Sequence, residues 1–404
     1  MSAHILHNTE RSYMADSQFL FVCCQYGAES ALKSEIERAW PNLRFAFSRP
    51  GFVTFKNAGA KPVPPAVDLK SVFARTYGFS LGEIKGDDTT EMAQKACEMA
   101  AGCTFQQLHV WPRDSAEPGH RGFIPGPTDE TATVATVIQT EAIRAGLIHE
   151  KVRVNGIART DNAVLDVIVV DENHWWIGRH SACSRILRQP GGVFKLSLPE
   201  QAVSRAYLKM NEALAWSQFP ITAGDRIVEI GSAPGGASQA LLERGLLVTG
   251  IDPSDMHETV NTHANFTHIK KRGVNLKRKE YEPFKWLAID TNVAPTHTLD
   301  TADDIVNQDS TNIRGMLLTL KFPEWKLCEE VGSYIERIRS WGFADVRARQ
   351  LANNGQEICV AALRSKSDRR MSKSGRKHQS IKNKRRASKK KQPPQPSTNE
   401  NPNA

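Results

Sequence analysis

The amino-acid sequence predicts an α/β protein, with a doubly wound, mostly parallel sheet in its second half preceded by a smaller α+β domain. Three observations carry this reading. From Pro199 to residue 364, short apolar strands alternate with helical segments, the rhythm of a parallel sheet covered by helices. A glycine-rich turn, Gly231-Ser232-Ala233-Pro234-Gly235-Gly236, joins one of those strands to a helix start. Before Pro199, strands instead come in groups before and after helices.

In chain order, a strand is expected over 18–24, an amphipathic helix over 28–40, and a hairpin over 44–55 turning at Arg49-Pro50-Gly51. Strands over 72–79 and 104–111 flank a helix over 91–101. Residues 112–130, rich in Pro and Gly, read as a loop, followed by a helix over 132–145 and strands over 163–170 and 175–178. Gln189 to Pro199, with Pro190-Gly191-Gly192, reads as a linker. A helix over 200–216 follows, with Val203, Tyr207, Met210 and Leu214 as its apolar stripe. Strands are then expected over 226–230, 246–251, 266–269, 286–289 and 315–320, helices over 238–244, 300–313 and 325–341, and a closing strand pair over 344–350 and 357–363. The resulting division is an N-terminal segment 1–17 without order, a domain over 18–188, a linker over 189–198, a second domain over 199–364, and a tail over 365–404.

Composition narrows the class. The 404 residues carry 40% hydrophobic side chains, enough for two buried cores. No run approaches the roughly 18 apolar residues of a membrane span. The cysteines (Cys23, Cys24, Cys97, Cys103, Cys183, Cys328, Cys359) are odd in number and include no C-x-x-C, which argues against a disulfide framework or a zinc finger and for a reducing, cytoplasmic setting. The net charge of +9 belongs to the tail: residues 365–404 hold 13 Lys and Arg against two acids. With almost no apolar residues, that tail cannot bury a core and is expected to be disordered. It reads as a polyanion-binding arm, RNA first, or as a merely solubilising extension.

The glycine-rich turn suggests a ligand lying against the backbone. The next strand ends in Gly250-Ile251-Asp252, where a carboxylate can accept both hydroxyls of a ribose. Together they point to an adenosine-bearing cofactor; the alternative is a tight strand–helix turn and a surface Asp. The turn is not G-x-G-x-x-G, and S-adenosylmethionine, which has no pyrophosphate to cradle, fits better than NAD. Asp290 and Lys321 each close an otherwise apolar strand, where open α/β sheets bind ligands. Lys209 lies off the apolar stripe of its helix, and Glu357 begins the last strand.

The order Ser204-Arg205-Ala206-Tyr207-Leu208-Lys209, the glycine turn, Asp290, Leu320-Lys321-Phe322-Pro323 and Glu357 resembles the FtsJ-like ribose 2′-O-methyltransferases with their K-D-K-E tetrad. Within that family it looks most like the bacterial enzymes of large-subunit ribosomal RNA. Residues around Phe73-Ala74-Arg75 and the hairpin after Gly27 are similar to the family's RNA-binding front half, which contains a THUMP domain. The resemblance covers about residues 18–363 and implies a Rossmann-like, S-adenosylmethionine-dependent enzyme acting on RNA, without a metal. It implies Lys321 as the base that deprotonates the 2′-hydroxyl, Lys209 as the neighbouring ammonium that depresses its pKa, and Asp290 and Glu357 as orienting carboxylates. Ser204, Gly231, Ala233, Pro234, Gly235, Gly236, Asp252 and Asp290 would line the cofactor. Nothing calls for a membrane, and a monomer is the expectation.

Residues around Asp290 lack the Pro-Pro-aromatic signature of base-amine methylation, and no cysteine stands at a strand end for C5 chemistry; Cys328 reads as packed. After the third strand, Ile269-Lys270-Lys271-Arg272-Gly273-Val274-Asn275 holds no acid to meet an adenine. Its lysines, with Lys277-Arg278-Lys279, read as phosphate contacts or as a solvated loop. Trp175, Trp176 and Trp325 read as packed rather than base-stacking. The rivals are a non-catalytic RNA-binding protein on this scaffold and a nicotinamide-dependent oxidoreductase.

Overall fold

A computed structural model describes residues 19–308 and 310–364; the segment 1–17 and the basic tail lie outside the described residues. The first half builds one sheet from β1 (Phe19–Cys23), β2 (Leu43–Arg49), β3 (Phe52–Asn57), β4 (Thr76–Lys85), β5 (Gln107–Pro112), β6 (Ala163–Asp171) and β7 (His174–Ser181). Its order is β2-β3-β1-β4-β7-β6-β5, with every pair antiparallel except β5 and β6. Helix α1 (Glu29–Ala39) buries Ala31, Leu32 and Ile36 against Leu20, Val22 and Phe55. Helices α2 (Thr89–Met99) and α3 (Asp129–Arg144) cover the other end, packing Met92, Ala96, Ile138 and Ala142 against Leu108, Leu165 and Ile177. The hairpin turns at Gly51, whose φ is 73° and where an added Cβ would sit 2.8 Å from the Asp114 carbonyl, leaving no room for a side chain.

The second half builds a sheet in the order β10-β9-β8-β11-β12-β14-β13. Strands β8 (Arg226–Ile230), β9 (Leu247–Ile251), β10 (Phe266–Ile269), β11 (Trp286–Ile289) and β12 (Gly315–Lys321) are parallel. Strand β14 (Glu357–Leu363) runs antiparallel between β12 and β13 (Asp345–Arg349). Helices α4 (Ala206–Ser217), α5 (Gly236–Leu242), α6 (Glu258–Asn261), α7 (Pro295–Val306) and α8 (Val331–Ser340) complete the layers. The strand order reverses at β8, which has β9 on one side and β11 on the other. That is where an open sheet of this kind opens a crevice at its carboxyl edge.

Three helices differ from their sequence pattern for local reasons. Helix α4 starts at Ala206, not at 200, because the Val203 amide donates to Gln239 Oε1 at 3.0 Å instead of to a helical carbonyl. Helix α7 starts earlier, with Pro295 in its first turn, where a missing N–H costs nothing. The segment 325–341 divides into a 3₁₀ stretch, Trp325–Glu330, and α8.

The two sheets share a core. Phe73 meets Trp325 edge-on at 6.2 Å, Gln350 N donates to Val72 O at 2.9 Å, and Arg349 Nη2 donates to Ala74 O and Arg75 O at 2.7 and 2.6 Å. Gln189, Pro190, Gly191 and Gly192 are buried, and Arg75 Nε donates to Gly191 O at 3.0 Å. Arg75 in turn pairs with buried Asp114, Nη2 to Oδ1 at 2.6 Å. Among the described residues no helix is long and apolar enough to cross a membrane.

Candidate active site

Four side chains from four elements converge at the carboxyl edge of the second sheet. Lys209 comes from α4, Asp290 follows β11, Lys321 ends β12 and Glu357 begins β14. The Lys209 ammonium lies 3.0 Å from Asp290 Oδ2 and 2.6 Å from Glu357 Oε1. Lys321 Nζ lies 3.4 Å from Asp290 Oδ1 and 3.9 Å from Glu357 Oε2. Each carboxylate is therefore shared by both lysines. Lys321 and Glu357 are direct partners in the β12–β14 ladder, so their side chains leave the sheet on one face.

The lysines are not equivalent. Burial alone would lower the Lys209 pKa, but the two carboxylates outweigh it and the pKa is raised, so Lys209 is held as an ammonium. Lys321 has the longer contacts. Asp290 Oδ1 is buried and makes no hydrogen bond among the described residues, which leaves an acceptor facing the site.

The glycine turn is tight for reasons internal to the protein. A Cβ on Gly231 (φ 82°) would sit 2.3 Å from the Asp290 carbonyl, and one on Gly235 (φ 120°) 2.9 Å from Val260. A Cβ on Gly236 would meet Ser204 Oγ. These glycines bring β8, β11 and the segment before α4 together, a different reason from the ligand approach the sequence suggests. The features that fit an adenosine-bearing cofactor lie beside them. Ser204 Oγ is buried without a hydrogen-bond partner among the described residues. Half-buried Asp252, just past β9, accepts from Ala233 N at 3.2 Å and Ser254 N at 2.8 Å, which orients its carboxylate and leaves lone pairs for hydroxyl donors.

Sequence reasoning missed three residues, Glu229, Glu212 and Asn354. Glu229, inside β8, is 2% exposed, and burial pushes its carboxyl pKa up to about 8, with Asp290 and Asp252 adding to the rise and the Ser238 hydroxyl (2.5 Å) opposing it. With Lys209, Asp290, Thr319 and Asn354 it lines a cavity of about 30 Å³. The signal was an acid between Val228 and Ile230 in an apolar strand. Glu212, one turn beyond Lys209 on α4, is 1% exposed and accepts from Ala352 N, Asn353 N and Asn353 Nδ2 at 2.8 to 2.9 Å. It fixes the loop whose Asn354 Nδ2 donates to Glu357 Oε1 at 3.0 Å.

Other readings resolve simply. Cys328 is buried, and so is Cys359, where burial pushes the thiol up and away from a nucleophilic thiolate. Lys270 pairs with Asp255 at 2.5 Å on the surface. Trp175 is fully buried, Trp325 packs on Phe73, and Trp176 stacks on Phe47 at 6.1 Å.

Residues 202–370 match the model of the FtsJ-like methyltransferase family. Ribosomal RNA large subunit methyltransferase M of Hahella chejuensis is 24% identical over 366 residues, covering 85% of this chain and 89% of that one. The enzyme of the same name from Halorhodospira halophila is 26% identical over 363 residues, 86% of this chain and 97% of that one. That of Pseudomonas fluorescens is 30% identical over 183 residues, 42% and 49% of the two chains. The convergent tetrad and the glycine turn thus lie inside an FtsJ-like methyltransferase domain, carried by a chain that is similar over most of its length to the ribosomal RNA large subunit methyltransferases M.

Proposed function

We propose that this protein is an S-adenosylmethionine-dependent RNA methyltransferase that modifies a ribose 2′-hydroxyl, with large-subunit ribosomal RNA as the substrate, acting in the cytoplasm. The observation that carries the reading is the sharing of Asp290 and Glu357 by Lys209 and Lys321, at 2.6 to 3.9 Å, beside the glycine turn. S-adenosylmethionine supplies a methyl group activated by a sulfonium charge. Ser204, the 231–236 turn, Asp252 and Asp290 would hold it.

The chain's own residues then have distinct tasks. A ribose hydroxyl is a poor nucleophile until its proton leaves. Lys209, clamped by two carboxylates, stays charged and orients them. Lys321, less tightly held, takes the hydroxyl proton at Nζ as the neutral amine and becomes the ammonium. The ammonium of Lys209 also offsets negative charge building on the ribose oxygen. Asp290 and Glu357 keep both Nζ atoms on one face of the sheet, so alignment supplies much of the rate. The front domain, THUMP-like in this reading, and the basic tail would hold RNA.

The test is methyl transfer from radiolabelled S-adenosylmethionine to unmethylated large-subunit RNA, followed by mapping of ribose methylation. Label at one ribose supports the reading; label on a base, or none while the cofactor binds, overturns it.

A further inference from the structure

A second concave site lies where the two halves of the chain meet. It is a cavity of about 520 Å³ between residues 68–77 and 184–186 of the first half and the α4 end, α8 and β13 of the second. Volumes of this order hold small ligands or one segment of a larger one. Its charge is one-sided. Lys70, Arg185, Arg339, Arg347 and Arg349 line it, and the one carboxylate in the lining is Asp68. Asp68 is engaged locally, accepting from Lys70 N at 3.0 Å and the Tyr77 hydroxyl at 3.2 Å.

The cations are poorly compensated. Arg347 and Arg339 pair with the exposed acids Asp345 and Glu336. Lys70 and Arg185 are exposed and have no carboxylate partner among the described residues; the Arg185 guanidinium sits over the Phe194 ring at 5.7 Å. Arg349 is 8% exposed, and its hydrogen bonds go to the carbonyls of Ala74 and Arg75 through Nη2. No carboxylate lies within ion-pair distance of it among the described residues, and burial pushes its pKa down to about 10, so it remains charged near neutral pH. The Glu212 and Glu35 carboxylates act on it from a distance without pairing with it, so an anion in direct contact at the cavity would still add favourable interaction.

The place of Arg349 says which anion. It closes β13 opposite Cys359, two residues along β14 from Glu357. One strand spacing and two residues of rise put its Cα roughly 8 Å from that of Glu357. Trp216, which also lines the cavity, is seven residues and roughly 10 Å of helix beyond Lys209, so the cavity is separate from the tetrad but within reach of a nucleotide flanking the target, and guanidinium groups match phosphate geometry. We propose that this inter-domain cavity binds a backbone phosphate of the substrate RNA close to the target ribose, through Arg185, Lys70 and Arg349. The inference rests on the reading of the protein as an RNA ribose methyltransferase.

The test uses the full chain and an RNA oligonucleotide that the wild type methylates. The double variant Lys70→Gln/Arg185→Gln changes exposed residues outside the tetrad and the cofactor turn, so folding and S-adenosylmethionine affinity should stay as in wild type. A control pair, Lys95→Gln/Lys151→Gln, removes two exposed charges elsewhere on the first domain. The cavity pair should weaken RNA binding at least 10-fold and lower the slope of log K against log salt by about 0.7, one single-strand phosphate contact. The control pair should lose less than 3-fold. RNA affinity within 2-fold of wild type, or equal losses in both pairs, overturns the cavity assignment alone. Titration with inorganic phosphate separates the sources: saturable phosphate binding lost in the cavity pair while RNA affinity holds assigns the site to free phosphate and overturns the RNA assignment. A wild type that binds S-adenosylmethionine but methylates no RNA overturns the functional reading, and the cavity assignment with it.

Discussion

Lys209 and Glu357 meet at 2.6 Å although one lies on the first helix of the methyltransferase half and the other on its last strand. That contact joins the two ends of the domain, and Asp290 and Lys321, from the strands between, close the square. Its consequences for function divide by residue.

Replacing Lys321 with alanine should lower kcat by about 10³-fold or more, because loss of a positioned base costs on the order of 10²–10⁴ and the carboxylates lose one cation. Calorimetry should find S-adenosylmethionine affinity within a factor of two of wild type. Lys321→Arg should be as inactive as the alanine variant, since guanidinium does not give up its proton. Activity near wild type in either variant removes the base assignment.

Glu212→Gln should damage catalysis through position. The carboxylate accepts three hydrogen bonds from Ala352 and Asn353, and an amide nitrogen turns one of those contacts into donor against donor. The loop holding Asn354 would loosen its grip on Glu357. Expected is a 10- to 100-fold fall in kcat with little change in the KM for the cofactor, and a destabilisation of about 2 kcal/mol. Asn354→Ala, which spares the Glu212 cluster, should lower kcat with a smaller loss of thermal stability. Unchanged kcat in both variants removes the positioning role.

Glu229 should make the cofactor-free protein weaker at alkaline pH. Its folded pKa, about 8, exceeds its ordinary value of 4.5. Below pH 4.5 the carboxyl is protonated in both states and there is no penalty. Between 4.5 and 8 the unfolded chain loses its proton first, so stability falls as pH rises, and the loss is complete above 8, at up to about 5 kcal/mol. Thermal denaturation from pH 5 to 8.5 should therefore show the Glu229→Gln Tm gaining on wild type as pH rises. Parallel pH curves for the two proteins contradict the burial account.

Gly231→Ala should fail structurally. Its φ of 82° and the Asp290 carbonyl at 2.3 Å from the added Cβ force β8 and β11 apart. A Tm lower by several degrees should accompany loss of methyl transfer, since Asp290 moves with its backbone. A Tm equal to wild type sinks this account of the turn.

Much of the site was legible because charged residues ending apolar strands are conspicuous: Asp290 after Trp286–Ile289 and Lys321 after five apolar or neutral residues mark the sheet's carboxyl edge. Lys209 stood out by lying off its helix stripe. Glu212 and Glu229 did not. A glutamate on an amphipathic helix looks like a solvated one until the loop that covers it is known, and Glu229 occupies an ordinary strand position whose burial on both faces only the neighbouring strands and α5 create. The start of α4 was misplaced for a similar reason: the competing acceptor, Gln239, lies on a later helix, and no local propensity reports it. The glycine turn was found, but its tightness answers to the Asp290 carbonyl and Val260, atoms far away in sequence.

The ladder pairing of Lys321 with Glu357 also sets what lengthening the chain can do. The connection between β12 and β13, with α8 in it, can gain or lose residues and leave that pair facing the same way. One residue inserted inside β12 or β14 turns one member of the pair through the sheet and separates the carboxylate from the lysine. Natural length variation compatible with activity should therefore fall in the connections and spare those two strands.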